Sequence, residues 1–566
     1  MKRGLAWITW VSARPRAVLA ALVAFYAIFG LCLLAPEAIY SGDIGVKYVQ
    51  ARALADHRFT SLSIPYPGEF LDPDRAFFPL RPPFVMTASG STQSIFSPMA
   101  AVFQGLAVAT AGLRGLILMS IAAAGAVLYS AWKLAPARCA VAVLIALGLG
   151  GPLWFHAVAG WEHAPGVAFG AAGFLCAVRS RARAAPLLAG VLVGAGAVLR
   201  DEVLLLLPGV LFVLWCRDRS VRTLASAAGG VLIPLAVSAA VEVWWFERPV
   251  AAHLRHAVHL VQAAIRVADG PNPDVPVLVP LTPGDRYNTV VEYWLLGYGN
   301  DRVITAIGAG LLVALAVRRR WRSSLALFLW LTVIVAFAAA DLWELVLAPK
   351  WLAGLHRVSP YLVFALLPRP EGPREADDYP WLRKAIGLTA AIYLFIAFVG
   401  ADTTGGKALG PRLLLPLFPL LTVSALMAIR AYLSAPAVAD RWVGGAGALL
   451  VVMSVAMHLF GTIPAYYARN ADDFKTVRAI AETGERVIVA DDEFTAQLLL
   501  PLYYRRIVLL ADKIELGPRL GARLAEARLP KLIVVTRWAD TPIDLAPFEK
   551  RRTQRYGRMT IQIWER

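Results

Sequence analysis

Residues 17–36 read AVLAALVAFYAIFGLCLLAP, and residues 40–54, a few positions later, read YSGDIGVKYVQARAL. The first stretch is long enough to cross a bilayer, because about 20 apolar residues of helix span the hydrocarbon core. The second stretch places a carboxylate, Asp43, at the start of a predicted short helix just beyond that span. Together they indicate a membrane-embedded helical fold with a charged group held at its boundary.

The composition of the whole chain agrees with this interpretation. Of 566 residues, 58% are hydrophobic and 17% are charged, and the mean hydropathy is +0.59. A soluble protein of this size cannot bury so much apolar surface, so we predict a mainly α, polytopic membrane fold. The four cysteines lie in or beside apolar stretches, and we expect no disulfide framework.

The distribution of basic residues predicts the orientation. The net charge is +17, but the basic residues occur in short loops between apolar stretches, which is typical of the positive-inside rule and not of nucleic-acid binding. The alternation of these loops predicts a cytoplasmic N-terminus and an extracytoplasmic C-terminus. We expect a multi-pass protein of a bacterial cytoplasmic (inner) membrane. About thirteen predicted transmembrane helices fall at 17–36, 114–131, 139–157, 164–178, 186–199, 203–215, 224–246, 302–317, 323–342, 353–367, 385–400, 411–430 and 444–462.

The loops and the tail divide the chain into two predicted domains. Residues 1–463 form a transmembrane domain whose first extracytoplasmic loop, 37–113, is large; within it, 98–112 is predicted as a helix in the outer interface. Counting 98–112 as a span would move the basic loops to the wrong side. Residues 464–566 are predicted to form a small extracytoplasmic α/β domain, with strands at 486–490, 506–511, 531–535 and 559–564.

The predicted helix after residue 40 carries the first candidate site residues. Asp43 is well placed to cap this helix, since a carboxylate accepts hydrogen bonds from the first-turn amides. Lys47 lies four residues further on and is predicted to pair with Asp43, and Gln50 continues that face. The alternative to capping is chemistry, because ionisable residues at a membrane boundary are costly to hold there.

Two further turns place charge on the same predicted side. The turn WFHAVAGWEHAP, 154–165, contains Glu162 and His163, which suit metal binding, the orientation of a substrate hydroxyl, or mutual pairing. The step LRDEVLL, 199–205, contains Arg200, which is either part of a self-paired turn or aimed at a phosphate.

A glycine-rich segment, GADTTGGKALGPRLLLPLFPLL at 400–421, supplies the last candidates. Its glycines allow the backbone to approach a ligand closely, and Lys407 and Arg412 add positive charge at the start of a span. A phosphate at the outer leaflet is the natural ligand. Since no Walker loop or dinucleotide fingerprint occurs in the sequence, a lipid-carried donor is the plausible source of an activated substrate.

Taken together, these motifs resemble the GT-C superfamily of integral membrane glycosyltransferases, the class that includes protein mannosyltransferases and aminoarabinose transferases. The resemblance covers roughly 17–465 and rests on Asp43 after the first span, on SIFSPMAAVFQGLAV (94–108), on the WEH turn, on the LRDE step and on GGKALGPRLLLPLFP (405–419). It implies inverting transfer of a hexosyl or pentosyl group from a polyprenyl-phosphate-sugar donor to a glycan, lipid or protein acceptor on the extracytoplasmic face.

The resemblance also implies roles for the candidate residues. Asp43 would be the general base. Donor phosphate binding would fall to Arg412, Lys407 and Arg200, and substrate positioning to Glu162, His163, Lys47 and Gln50. The family's paired first-loop acid is absent, because Gly45 stands at the D-x-D position; this favours a metal-independent member without a cofactor, although a divalent metal is not excluded. The alternative function is a transporter or flippase of lipid-linked sugars, which would share the spans and the charges.

Overall fold

The computed structural model describes residues 14–82, 84–88, 91–246, 288–290, 295, 324–348, 352, 354–367, 381–400, 409–512, 516–537 and 543–566. This part of the chain is mainly helical, with a sheet region close to the C-terminus. Its α-helices are α1 (Pro15–Ala27), α2 (Gly42–Asp56), α3 (Pro98–Leu134), α4 (Ala140–Leu149), α5 (Leu153–Val158), α6 (His163–Arg179), α7 (Ala185–Leu199), α8 (Leu207–Asp218), α9 (Val221–Ala240), α10 (Ser324–Leu347), α11 (Leu355–Val358), α12 (Leu382–Gly400), α13 (Phe418–Leu433), α14 (Val438–Met457), α15 (Ile463–Glu482), α16 (Glu493–Leu498) and α17 (Leu516–Glu526).

Six of the described helical segments are long and apolar enough to cross a membrane. They are Pro15–Leu33, Pro98–Leu134, Val221–Trp245, Leu382–Val399, Arg412–Leu433 and Val438–Glu482. The predicted number of about thirteen is therefore not confirmed for the described residues. Several predicted spans are short or divided helices: 203–215, for example, falls on a 3-10 segment (Asp201–Leu206) followed by α8. The predicted span at 302–317 lies outside the described residues.

Helix α3 is two helices joined at a kink. The backbone leaves helical geometry at Ala111 and Gly112, and Gly112 has a φ of 57°, which glycine adopts without steric cost. The predicted helix at 98–112 is thus a separate helix that ends at the kink. The second half, which follows Gly112, corresponds to the predicted span at 114–131.

The C-terminal sheet has five strands in the order β4–β3–β5–β7–β6. Strands β3 (Val487–Ala490), β4 (Ile507–Leu510) and β5 (Lys531–Thr536) are parallel to one another. Strand β7 (Met559–Glu565) pairs antiparallel with β5 and with the edge strand β6 (Glu549–Tyr556). All four predicted strands are confirmed. The sequence did not reveal β6 because EKRRTQRY is polar and exposed except at its last residue, Tyr556, so it lacks the apolar alternation by which a half-buried strand is recognised.

The sheet region packs directly on the first loop, which contains a hairpin of β1 (Val85–Ala88) and β2 (Ser91–Ser94). Tyr66 and Phe77 from the loop share one hydrophobic cluster with Val489 and Leu509 from the sheet. The amide of Leu510 donates to the carbonyl of Phe77 over 2.8 Å. The loop and the last hundred residues therefore form a common core, although they lie at opposite ends of the sequence.

One helical segment connects the membrane region to the sheet region. Helix α14 continues through a π-helical turn (His458–Thr462) into α15 without a break. The predicted boundary between residues 463 and 464 falls inside this segment. Residues on α15 consequently reach back to the chain that precedes α2.

Candidate active site

Asp43 lies in the first turn of α2, where the sequence places it, but its side chain is used differently from the predicted cap. Ser41 is the N-cap residue, and it makes no side-chain capping hydrogen bond. The Asp43 carboxylate accepts a hydrogen bond from Arg412, with 2.6 Å between Oδ2 and Nη1. These two residues are 369 positions apart in sequence, so the contact joins the first loop to the glycine-rich segment.

Arg412 is presented by a sharp change of backbone direction. Gly410 has a φ of 68°, and Pro411 precedes a 3-10 segment, Arg412–Leu417, that leads into α13. The guanidinium also lies 5.6 Å from the ring centroid of Trp161, a cation–π distance. The Asp43 and Arg412 side chains keep 17% and 20% of their surface exposed. The pair is therefore accessible to a ligand.

Glu162 is the centre of a second, buried charge cluster. Its Oε1 lies 2.6 Å from Lys47 Nζ and 3.2 Å from Arg200 Nη1. Gln104 Nε2 donates to the other carboxylate oxygen over 3.4 Å, and Arg200 is also bound by Glu202 over 2.6 Å. The side chains of Lys47 and Glu162 are only 3% and 4% exposed, so each satisfies a charge that would be costly to bury alone.

The charge of Glu162 is fixed by its neighbours. Burial alone would raise the pKa of its carboxyl, but the positive charges of Lys47 and Arg200 outweigh burial and lower the pKa to about 2. Burial also lowers the pKa of Lys47, and Glu162 opposes that shift. Glu162 is therefore a carboxylate at neutral pH and serves as an anchor for two cations.

Lys47 does not form the predicted ion pair with Asp43. Its ammonium turns to Glu162, and it lies 4.1 Å from the ring centroid of Phe96 in the first loop. An i, i+4 spacing places two side chains on one helix face. A charge from another helix can still be the preferred partner of either side chain. Here the buried carboxylate is the stronger partner because it is shielded from water.

The rings of His156, Trp161 and His163 form a stack between the two charge clusters. Their centroids are 4.9–5.6 Å apart, with interplanar angles of 31–38°. His163 Nδ1 lies 3.9 Å from Glu162 Oε1, which is too long for a hydrogen bond. The stack fixes the WEH turn and gives the Arg412 guanidinium an aromatic face.

The remaining predicted site residues differ in their placement. Gln50 uses its amide within the first loop, donating to the carbonyl of Leu62 over 2.7 Å and accepting from the amide of Ser94 over 2.8 Å. These contacts hold the first loop in shape, and the role of Gln50 in substrate positioning stays a prediction. Lys407 lies outside the described residues. Among the described residues, no cluster of His, Cys, Asp and Glu has the arrangement of a metal site.

Gln104 is a site residue that the sequence analysis did not single out. It is buried on the first half of α3 and contacts Glu162. An amide inside the apolar stretch PMAAVFQGLAVATAG is the only local signal of this contact. Such a signal cannot identify the partner, because Glu162 lies 58 residues away.

The lowered pKa of Glu162 predicts how stability depends on pH. A carboxyl whose pKa falls on folding stabilises the protein at pH values above its unfolded pKa, about 4.3 for glutamate, and loses that contribution as the pH falls toward 2. We expect the difference in thermal midpoint between the wild type and Glu162→Gln to be constant from pH 8 to 5 and to narrow below pH 4. Thermal unfolding in detergent across this range measures it, and a difference that stays constant down to pH 3 would contradict the assignment.

No protein-family model and no curated protein matches this chain. The structure is similar to ArnT from Cupriavidus metallidurans in the apo state, at 14% identity and a TM-score of 0.48, covering 99% of this chain and 98% of that one. The same protein bound to undecaprenyl phosphate gives 14% identity, the same coverage and a TM-score of 0.46.

An archaeal protein gives a similar match. The oligosaccharyltransferase of Archaeoglobus fulgidus in the apo form has 12% identity and a TM-score of 0.41, covering 92% of this chain and 69% of that one. With identities of 12–14% and TM-scores of 0.41–0.48, these similarities leave the function of this chain to be argued from its own residues.

Proposed function

We propose that the chain is a membrane glycosyltransferase that moves a sugar from a polyprenyl-phosphate donor to an acceptor hydroxyl on the extracytoplasmic face, with inversion. The observation that carries the proposal is the pair of Asp43 and Arg412, with 2.6 Å between carboxylate and guanidinium. A base for the acceptor and a cation for the leaving phosphate are the two groups that this reaction requires. In this chain they are held in contact at a partly exposed position.

Asp43 acts as the general base in this mechanism. The acceptor hydroxyl gives its proton to the carboxylate while its oxygen bonds to the anomeric carbon of the donor sugar. The bond between that carbon and the phosphate oxygen breaks, and its electron pair leaves with the lipid phosphate. Attack opposite to the leaving group inverts the anomeric configuration.

Arg412 stabilises the negative charge on the leaving phosphate. Its guanidinium forms an ion pair with the Asp43 carboxylate. A phosphate offers several acceptor oxygens in a geometry that suits a guanidinium, so a bound donor competes with Asp43 for Arg412. Donor binding would then release the carboxylate to act as a base at the moment when an acceptor can use it.

Arg200 is less available to a phosphate than Arg412 is. It is bound to two carboxylates, those of Glu162 and Glu202, and their charges raise the pKa of the guanidinium against the effect of burial. These contacts favour a role for Arg200 in holding the Glu162 carboxylate in place and, through Glu162, the ammonium of Lys47. Lys407 remains our second candidate for the phosphate.

The positions of the charges favour an enzyme over a transporter of lipid-linked sugars. Asp43, Glu162 and Arg200 lie outside the six candidate spans among the described residues, and Arg412 is the first residue of one of them. Transporters place their polar sites near the bilayer midplane, in interrupted helices of repeated halves. Charges at one boundary are better suited to chemistry there.

The test of the function is a comparison of cells that lack the protein with cells complemented by the wild type or by Asp43→Asn. Loss of one glycan or glycolipid on deletion, with its precursor lipid accumulating, supports transfer. Vesicles that contain the purified protein separate the two functions: a transporter moves a lipid-linked sugar across the bilayer without forming a new glycosidic bond. Movement of the lipid-linked sugar without a new glycosidic bond, together with full activity of Asp43→Asn in cells, would refute the proposal.

Replacing Arg412 is predicted to weaken donor binding. Removing a hydrogen bond between charged groups costs about 1.5–3 kcal/mol, so Arg412→Gln should raise the Kd for a polyprenyl phosphate about 10- to 150-fold. Titration of the purified protein with synthetic polyprenyl phosphate measures this. The matched control is Arg478→Gln, which removes an arginine from an exposed ion pair with Glu482 and should leave the Kd unchanged. Equal affinities for the Arg412 variant and the wild type would exclude Arg412 as the phosphate ligand.

A further inference from the structure

The segment that leads into α2 is held by α15. The side-chain oxygen of Asn470 accepts from the amide of Ala35 over 2.9 Å. Its side-chain nitrogen donates to the carbonyls of Ala35 and Ala38, both over 3.0 Å. Asn470 is buried and uses its whole amide group on this segment. The chain between the first span and Asp43 is therefore fixed by a residue from the last hundred.

A second contact from α15 holds the next residues. Arg469 Nη2 donates to the carbonyl of Tyr40 over 2.9 Å, and its guanidinium lies 4.2 Å from the centroid of the Tyr40 ring. Asp473, one turn later, is bound at both carboxylate oxygens by Arg558 from the turn between β6 and β7, over 2.7 and 2.9 Å. The turn between β6 and β7 thereby supports the part of α15 that binds Tyr40.

The first turn of α2 packs closely against the sheet region at two glycines. A Cβ on Gly45 would lie 2.8 Å from the carbonyl oxygen of Gln497 and 2.8 Å from a methyl group of Leu500. A Cβ on Gly42 would overlap the side chain of Gln497. These two glycines flank Asp43 in sequence. The close approach explains why no carboxylate follows at the D-x-D position, since the backbone of Gln497 occupies that space.

The middle of α2 is held as well. The hydroxyl of Tyr504 donates to the carbonyl of Val49 over 2.8 Å. The lead-in segment, the first turn and the middle of the helix thus all contact residues that follow position 463. None of these residues contacts Arg412 or Glu162 among the described interactions, so we expect them to act on Asp43 through α2 and its lead-in segment.

We infer that the C-terminal region is a positioning element, which sets the direction of the Asp43 carboxylate by clamping α2 and its lead-in segment. Asn470 and Gln497 are its positioning residues, and Gly42 and Gly45 are the positions on α2 that Gln497 contacts. The inference rests on the proposed function, because it assumes that Asp43 reacts. A base must lie within about 2.6–3.2 Å of the proton that it removes, and a misplacement of about 1 Å can cost about 100-fold in rate.

The test separates turnover from donor binding. Gly42→Ala adds a methyl group that meets Gln497, so we expect the rate of sugar transfer in membranes to fall at least tenfold at equal protein levels. The Kd for synthetic polyprenyl phosphate should stay within threefold of the wild type, because Arg412 is untouched. Gly445→Ala is the matched control, since a Cβ on Gly445 meets no atom within 4 Å, and it should leave both quantities unchanged.

Relief of the overlap gives a second measurement. The three atoms nearest to the new methyl group belong to the side chain of Gln497, so Gln497→Gly should restore transfer by Gly42→Ala to within threefold of Gln497→Gly alone. If Gly42→Ala does not fold, Asn470→Ala tests the same point without adding atoms; it should slow transfer about fivefold or more and leave the Kd unchanged.

Two results would overturn the inference. One is a wild-type rate of transfer in both Gly42→Ala and Asn470→Ala. The other is a fall in the rate of transfer that is matched by an equal rise in the Kd for polyprenyl phosphate. Asp43→Asn distinguishes this failure from failure of the proposed function. If Asp43→Asn is inactive while the positioning variants are fully active, only the positioning role is wrong.

Discussion

We expect Asp43→Asn to lower the rate of sugar transfer by about 100- to 10,000-fold, the usual contribution of a general base. Asparagine has nearly the same shape, and its side-chain oxygen can still accept the hydrogen bond from Arg412. What it lacks is the ability to take a proton from the acceptor hydroxyl. The variant should therefore fold and bind polyprenyl phosphate, while transfer in membranes is lost.

The control for this variant lies on the same helix. Asp56 is at the other end of α2, where it forms an exposed i, i+4 pair with Arg52. Asp56→Asn makes the same chemical change away from the site, and we expect transfer to remain within twofold of the wild type. Wild-type transfer by Asp43→Asn, measured at equal protein levels, would exclude Asp43 as the base.

We expect Glu162→Gln to destabilise the protein by about 3–5 kcal/mol, the usual cost of removing one partner from a buried ion pair. The change leaves Lys47 without its described ion-pair partner in a site that is 3% exposed. Arg200 keeps Glu202, so Lys47 bears most of the cost. The free energy of unfolding in detergent measures this effect, and transfer should fall with it because Lys47 and Asp43 share α2.

A double variant shows whether the unpaired charge is the cause. Glu162→Gln combined with Lys47→Met removes both members of the pair, and replacing a buried pair by uncharged groups is often close to neutral. We expect it to regain most of the lost stability without regaining transfer. Glu482→Gln, at an exposed pair with Arg478, should cost less than about 1 kcal/mol. A cost for Glu162→Gln as small as that of Glu482→Gln would show that the cluster does not hold the site together.

The sequence was most informative where a charge interrupts an apolar pattern. Asp43, Glu162, Arg200 and Arg412 each stand out because membrane-embedded chains seldom carry charge without a partner, and the predicted orientation assigns all four to the extracytoplasmic side. The structure brings them together in two clusters. Which carboxylate meets which cation was beyond the sequence, because partners 115 and 369 positions apart are chosen by the packing of helices.

The count of spans and the role of the C-terminal region were harder to predict. Hydropathy measures apolar length, so it does not separate a spanning helix from a short one or from a 3-10 segment such as Asp201–Leu206. Strand β6 carries no apolar pattern. The contact of Gln497 with Gly42 and Gly45 has no local signal except the glycines themselves, which occur in many other settings.

Asn470 and its hydrogen-bond partner Ala35 are 435 positions apart in sequence, and this separation has a consequence for biosynthesis. Chains are made at roughly 5–20 residues per second, so Ala35 is synthesised about 20–90 seconds before the residue that holds it. During that time the first loop lacks the residues after position 463 that share its hydrophobic cluster. The support of the proposed base is thus completed only after Asn470 has been synthesised. A nascent chain that stops before that point leaves α2 without this support.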